Sequence, residues 1–169
     1  MPNHYFRFKE FTIHQDKCSM KVCTDACIFG ACVAGSIGNN IPQMAGSNCL
    51  DIGSGTGLLS LMIAQKNPHS IDAIEIEKNA YKQAKENFSI SKCKDRLNIV
   101  HNDAKEFGSQ TKHDLIISNP PFYENELQST EKNKNIAKHD EGLTLKDLIV
   151  IVKKTLSESG FFAILLPYH

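Results

Sequence analysis

The sequence predicts an α/β fold built on a doubly wound, mostly parallel sheet. Three observations carry that reading. From Asn48 onward, strand-like and helix-like segments alternate with short connections, the pattern of a parallel sheet covered by crossover helices. Runs such as "DAIEI" and "FFAILL" are apolar on both faces, which suits central strands buried on both sides. A glycine cluster, "GSGTG", sits between the first of these strands and its helix.

Each element has a local reason. "FTIHQ" (Phe11–Gln15) alternates and reads as a short strand, and Thr24–Gly35 as a short helix with Thr24 or Asp25 near its N-cap. The Gly-, Asn- and Pro-rich stretch Ser36–Ser47 reads as loop. "NCLDIG" is then a strand and "GLLSLMIAQKN" a helix closed by Pro68. "SIDAIEIE" is a second strand, "NAYKQAKENFSIS" a second helix, "RLNIVHND" a third strand and "HDLIISN" a fourth. "TLKDLIVIVKKTLSESG" has the spacing of an amphipathic helix ended by Gly160, and "FFAILLP" follows as a fifth strand. Between them Tyr123–Leu143 is rich in Glu, Lys and Asn. A segment of that length without clear structure suggests a functional lid or disorder.

Composition narrows the function classes. A chain of 169 residues suits a single core. Lys+Arg and Asp+Glu both total 19, so no global field draws in nucleic acid, and any such binding needs a local basic surface. Lys132, Lys134 and Lys138, with Lys9, Lys21 and Arg7, are the candidates, although for each lysine by itself a solvated charged loop is the favoured reading. The longest apolar runs are too short to span a bilayer, and "MPNHYFRFKEF" has no apolar signal core, so a cytoplasmic protein is expected. Cys18, Cys23, Cys27 and Cys32 cluster at spacings of x4, x3 and x4 with no Cys-x2-Cys knuckle. Cys27 and Cys32 therefore read as small buried residues, and no metal is expected.

The chemistry concentrates at strand ends. In "LDIGSGTGLLSL", Gly53, Gly55 and Gly57 follow the first core strand, where glycine permits positive φ and close approach of a ligand to the main chain. The third glycine comes one residue too early for a dinucleotide fingerprint, and no Gly-Lys-Ser/Thr follows to make a P-loop. Asp51 with Ser54 and the three glycines resembles the cofactor loop of class I S-adenosylmethionine-dependent methyltransferases, whose fold is Rossmann-like. That resemblance implies Glu75, at the end of the second core strand, as acceptor for both ribose hydroxyls. It implies Asp103 against an adenine amino group and the Ala104 amide facing the ring. Either acid alone would read as a surface or capping residue; their order at successive strand ends gives the match its weight.

"SNPPF" closes the fourth core strand, because proline cannot donate to a sheet ladder. Asn-Pro-Pro alone is often only a turn. Here Asn119, Pro120, Pro121 and Phe122 resemble the motif of methyltransferases that act on planar, conjugated nitrogens. The lone pair on such a nitrogen is delocalised, so acceptors on its N–H groups, the Asn119 side-chain oxygen and the Pro120 carbonyl, would favour a pyramidal nitrogen. The prolines fix the carbonyl in advance, and Phe122 would stack on an extruded base.

"FTIHQDKCSMKVCTDACIFGA" is similar to the opening of bacterial tRNA1(Val) (adenine-N6)-methyltransferases. The resemblance covers nearly the whole chain, including "IAKHDEGLTL", and implies transfer to an adenine of the tRNA anticodon loop. It also implies that residues 1–35, with Thr24 among the cofactor contacts, close over the cofactor of a core spanning 36–169. Ribosomal RNA guanine, a release-factor glutamine, or a non-catalytic S-adenosylmethionine-binding module are the alternatives. The family continues past "FFAILLPYH" with a helix and a β-hairpin, so a sheet truncated after strand five is expected.

Overall fold

The computed structural model of the chain describes residues 3–37, 48–108, 111–120 and 142–166. Its centre is a five-stranded sheet: β3 (Cys49–Ile52), β4 (Ile71–Glu75), β5 (Leu97–His101), β6 (His113–Ser118) and β7 (Leu156–Ile164). The spatial order is β5-β4-β3-β6-β7, and every neighbouring pair is parallel. The chain winds outward from β3 through β4 to β5, then returns to the other side of β3 for β6 and β7. The winding direction therefore reverses between β3 and β6, and a crevice opens outside their carboxyl ends.

Alternation along the strands divides the core. Cys49, Ile71, Leu115 and Ile117 point to one face and pack with Leu58, Leu59 and Ile63 of α2 (Leu58–Ala64) and Phe88 of α3 (Lys78–Ser89). Leu50, Ile52, Ile74 and Ile116 point to the other and pack with Leu148, Ile151 and Val152 of α4 (Leu145–Thr155). A period of two supplies both layers, as it must for a sheet covered on each side. α4 opens on a capping box in which Thr144 Oγ1 accepts from Asp147 N at 3.1 Å and Asp147 Oδ2 accepts from Thr144 N at 3.1 Å.

Several boundaries differ from expectation. α2 stops at Ala64, three residues short of Asn67, and the Ile63 carbonyl accepts from both Lys66 N and Asn67 N at 2.9 Å as the helix closes. α4 stops at Thr155, not at Gly160, because Leu156 already pairs with His113. The ladder resumes only at Leu115 with Phe161, so five steps on β7 answer two on β6, a bulge. Ser157 Oγ anchors the bulge by donating to Asp114 Oδ1 at 2.8 Å. A Cβ at Gly160 would lie 2.7 Å from Leu156 Cδ1.

The N-terminal region forms a hairpin of β1 (Tyr5–Arg7) and β2 (Thr12–His14), followed by α1 (Thr24–Ser36). Only β2 is anticipated by the sequence, since all three residues of β1 are exposed. The α1 N-cap is Cys23, so that Thr24 and Asp25, expected near the cap, are the first two residues of the helix. Cys32 is exposed, contrary to the expected burial, and Cys27 is half-buried, whereas Cys18 is buried. Of the expected loop Ser36–Ser47 only 36–37 lie in the first described stretch, and of the expected lid Tyr123–Leu143 only 142–143 are described. Among the described residues no helix is long and apolar enough to cross a membrane.

Candidate active site

Strand register brings the key positions to one level. Ile52 pairs with Ile74 on β4 and with Ser118 on β6, so Gly53, Glu75 and Asn119 all stand one step beyond paired residues. Ser118 fixes the end of β6: its Oγ donates to the Ile52 carbonyl at 2.8 Å, and its carbonyl accepts from Leu165 N at 3.2 Å. Asn119 follows half-buried and Pro120 buried, directly at the crevice. Pro121 and Phe122 lie outside the described residues.

The glycine loop is held from below and open above. Gly53 N and Ser54 N donate to the Ile74 carbonyl at 3.0 and 3.1 Å, and Gly57 N donates to the Ser54 carbonyl at 2.8 Å. Gly53, Gly55 and Gly57 have φ of 73°, 56° and 80°, the left-handed region that glycine enters without penalty. Their surroundings differ. A Cβ at Gly57 would meet Phe88 Cε1 at 2.4 Å, so this glycine lets α2 and α3 approach. Among the described residues nothing lies within 4 Å of the Cβ positions at Gly53 and Gly55, which leaves main chain accessible to a ligand.

Two carboxylates build the walls. Glu75, 8% exposed, accepts from Gly55 N at 2.7 Å through Oε2 and from Glu77 N at 2.8 Å through Oε1. Each oxygen retains a second lone pair for hydroxyl donors. Asp51 is fully buried beneath the loop; its Oδ2 accepts from Ser60 N at 3.1 Å and Ser60 Oγ at 2.6 Å. Burial raises its pKa to about 6, against the lowering effect of the Ser60 hydrogen bonds, with the Glu75 charge adding to the rise. Asp51 Oδ1 and Ser54 Oγ are both buried without a hydrogen-bond partner among the described residues. Buried polar atoms of native proteins are ordinarily satisfied, so a ligand carrying polar hydrogens fits this end of the loop.

The third station is partly committed to its own turn. Asp103 Oδ1 accepts from Lys105 N at 2.8 Å, capping the single 3-10 turn Ala104–Glu106, and Oδ2 lies 3.8 Å from Lys105 Nζ. Ala104 is buried. Thr24 is exposed at the start of α1.

Some of the site was not anticipated. Ile76, immediately after Glu75, is 61% exposed, an apolar surface between Glu75 and Asp103 that suits the face of a planar ring. An apolar residue directly after an acidic strand end was the available signal. Cys18 lies near enough to Glu75 and Glu77 to feel their charge; burial first, and then those carboxylates and Asp16, push its thiol up to about 12. It stays protonated and is no nucleophile. The N-terminal segment around it contacts α3, where Gln83 Oε1 accepts from Lys17 N at 3.1 Å.

The methyltransferase small domain family model matches residues 32–159. The chain is 45% identical over 166 residues to the tRNA1(Val) (adenine(37)-N6)-methyltransferase of Dyadobacter fermentans, covering 98% of this chain and 66% of that protein. It is 38% identical over 167 residues to the protein of the same name from Phocaeicola vulgatus, covering 99% and 68%. The chain thus spans about two thirds of the length of the curated relatives it matches. Among solved structures, a SAM-dependent methyltransferase from Thiobacillus denitrificans in complex with S-adenosyl-L-homocysteine superposes with a TM-score of 0.58 at 19% identity, covering 85% of this chain and 48% of that one. At that identity the likeness shows the fold.

Proposed function

Because the chain belongs to the methyltransferase small domain family, we propose that it binds S-adenosyl-L-methionine at the carboxyl edge of its sheet and methylates the exocyclic N6 of an adenine in a tRNA anticodon loop. The observation that carries the proposal is the matched register of Gly53, Glu75 and Asn119 across the point where the winding reverses. When bound, the cofactor supplies an electrophilic methyl group on a sulfonium.

The residues of the chain divide the work of positioning. Glu75 accepts the ribose hydroxyls; Ser54 and Asp51 take polar hydrogens at the far end of the loop, where their orphaned atoms lie. Gly53 and Gly55 leave room for approach to the main chain. Ile76 supports one face of the adenine ring, while Asp103 and the Ala104 amide read its edge. Residues 1–35, including Thr24, close over the cofactor held by the core of 36–169. The hydrogen bonds of Asn87 to His14 and to the Thr56 carbonyl of the glycine loop support that placement.

Asn119 and the Pro120 carbonyl accept the two N–H groups of the acceptor nitrogen and hold its lone pair toward the methyl group. Once the methyl group has been transferred, the nitrogen would carry one proton too many and lose it to water, with its N–H groups held by the Asn119 oxygen and the Pro120 carbonyl. By the resemblance of "SNPPF" to the motif of such methyltransferases, Phe122 is the residue that would stack on the extruded base. The names of the relatives support adenine in tRNA as acceptor. A base already unstacked in a loop is extruded at least cost.

The test is a methyl-transfer assay with tRNA, ribosomal RNA, duplex DNA and a glutamine-containing protein, followed by mass spectrometry of the products. N6-methyladenosine in tRNA is the expected product. Labelling of guanine in ribosomal RNA, or of the protein, overturns the acceptor and leaves methyl transfer standing. Cofactor binding without transfer to any acceptor supports a binding module instead.

A further inference from the structure

α3 presents two buried carboxamides to the N-terminal region, Gln83 at 0% and Asn87 at 1% exposure. Gln83 Oε1 accepts from Lys17 N at 3.1 Å, and Lys17 forms an ion pair with Glu86 on the same helix. Asn87 does more. Its Oδ1 accepts from His14 N, and its Nδ2 donates both to the His14 carbonyl and to the Thr56 carbonyl, each at 2.9 Å. Both amide hydrogens are therefore committed, one to β2 and one to the glycine loop.

Thr56 lies between Gly55 and Gly57, two residues in left-handed conformation that offer the loop no side-chain anchor of their own. From His14 the chain continues to Gln15, whose Oε1 accepts from Val22 N at 2.9 Å, and to buried Cys18. One side chain thus joins the N-terminal segment to the loop that forms the floor of the site.

We infer that Asn87 is a positioning residue that couples docking of the N-terminal strand to the cofactor-binding form of the glycine loop. This rests on the S-adenosyl-L-methionine reading given above. Whatever holds the loop also holds β2 through the shared amide, and by linkage the strand in turn raises affinity at the loop. An amide that merely filled the core would show no such reciprocity.

Asn87→Asp tests the coupling. It keeps the size and the acceptor for His14 N but replaces the donor facing two carbonyl oxygens with a further acceptor. Titration with S-adenosyl-L-homocysteine is expected to show affinity weakened about fivefold or more, the usual span of a coupling between sites. With tRNA saturating and the cofactor varied, KM for the cofactor should rise while kcat stays near wild type. Gln83→Ala, which frees Lys17 N without touching the loop, should leave cofactor affinity near wild type. Equal affinity of the Asn87→Asp variant and wild type overturns the inference.

A second measurement needs no variant. In wild-type protein, hydrogen exchange of the 12–17 amides should slow when S-adenosyl-L-homocysteine is added, and unchanged rates overturn the coupling even where cofactor binding is secure. Failure of the wild-type protein to bind the ligand overturns the cofactor reading itself, and the coupling with it.

Discussion

Replacing Asn119 by Ala is expected to lower turnover about a hundredfold or more, the usual value of one preorganised polar group aimed at developing charge. Cofactor affinity should stay near wild type. The two halves of that result come from different parts of the crevice. The loop and Glu75 sit on β3 and β4, whereas Asn119 follows β6, whose end is fixed by Ser118 to the Ile52 carbonyl independently of the Asn119 side chain. Losing the side chain thus removes an acceptor without releasing the strand. Steady-state kinetics on tRNA with a parallel binding titration separates the two effects. Normal turnover in this variant would reduce Asn119 to a turn residue, the reading that Asn-Pro-Pro permits by itself.

Asp51→Asn is expected to change how stability depends on pH. The folded protein raises the Asp51 pKa from 3.8 to about 6, chiefly by burial. A carboxyl that is harder to ionise when folded destabilises the native state once it is charged. That cost is absent below the unfolded value near 4, grows between about 4 and 6, and is complete above about 6. A shift of this size corresponds to about 3 kcal/mol. The wild-type protein should therefore gain stability relative to Asp51→Asn as pH falls from 7 to 4, by a difference approaching that amount. The asparagine carbonyl still accepts from Ser60, so the helix start it caps is retained. Parallel denaturation curves across this range check the effect, and a difference that does not vary with pH contradicts it. On the proposed reading, the buried Asp51 Oδ1, which has no hydrogen-bond partner among the described residues, receives a ligand donor, and stability is then given up for function.

The sheet, its doubly wound order and the positions at the strand ends were legible because each rests on short-range rules. Apolar runs bounded by glycine or proline located β3, β4, β6 and the pairing part of β7, and the left-handed conformation of the loop follows from three closely spaced glycines. What the sequence concealed depends on tertiary pairing. Leu156–Gly160 continues the helical pattern of α4, yet Leu156 pairs with His113 and ends the helix. β1 carries no alternation because all three of its residues are exposed. Asn87 reads as an ordinary polar residue of a helix until β2 and the glycine loop converge on it. Cys32 shows the converse error, an exposed residue amid small and apolar neighbours.

The most direct test of the central claim, that the carboxyl edge of this sheet holds S-adenosyl-L-methionine, is calorimetric titration of S-adenosyl-L-homocysteine into wild-type protein and Glu75→Ala. Glu75 touches the loop through Gly55 N and retains lone pairs for the ribose. Its loss should weaken binding by about 1.5–3 kcal/mol, roughly 10- to 150-fold, the value of hydrogen bonds to a charged acceptor. Tight binding to wild type that weakens by this amount in the variant is the expected result. Unchanged affinity in Glu75→Ala, or no binding to the wild-type protein, would contradict the claim.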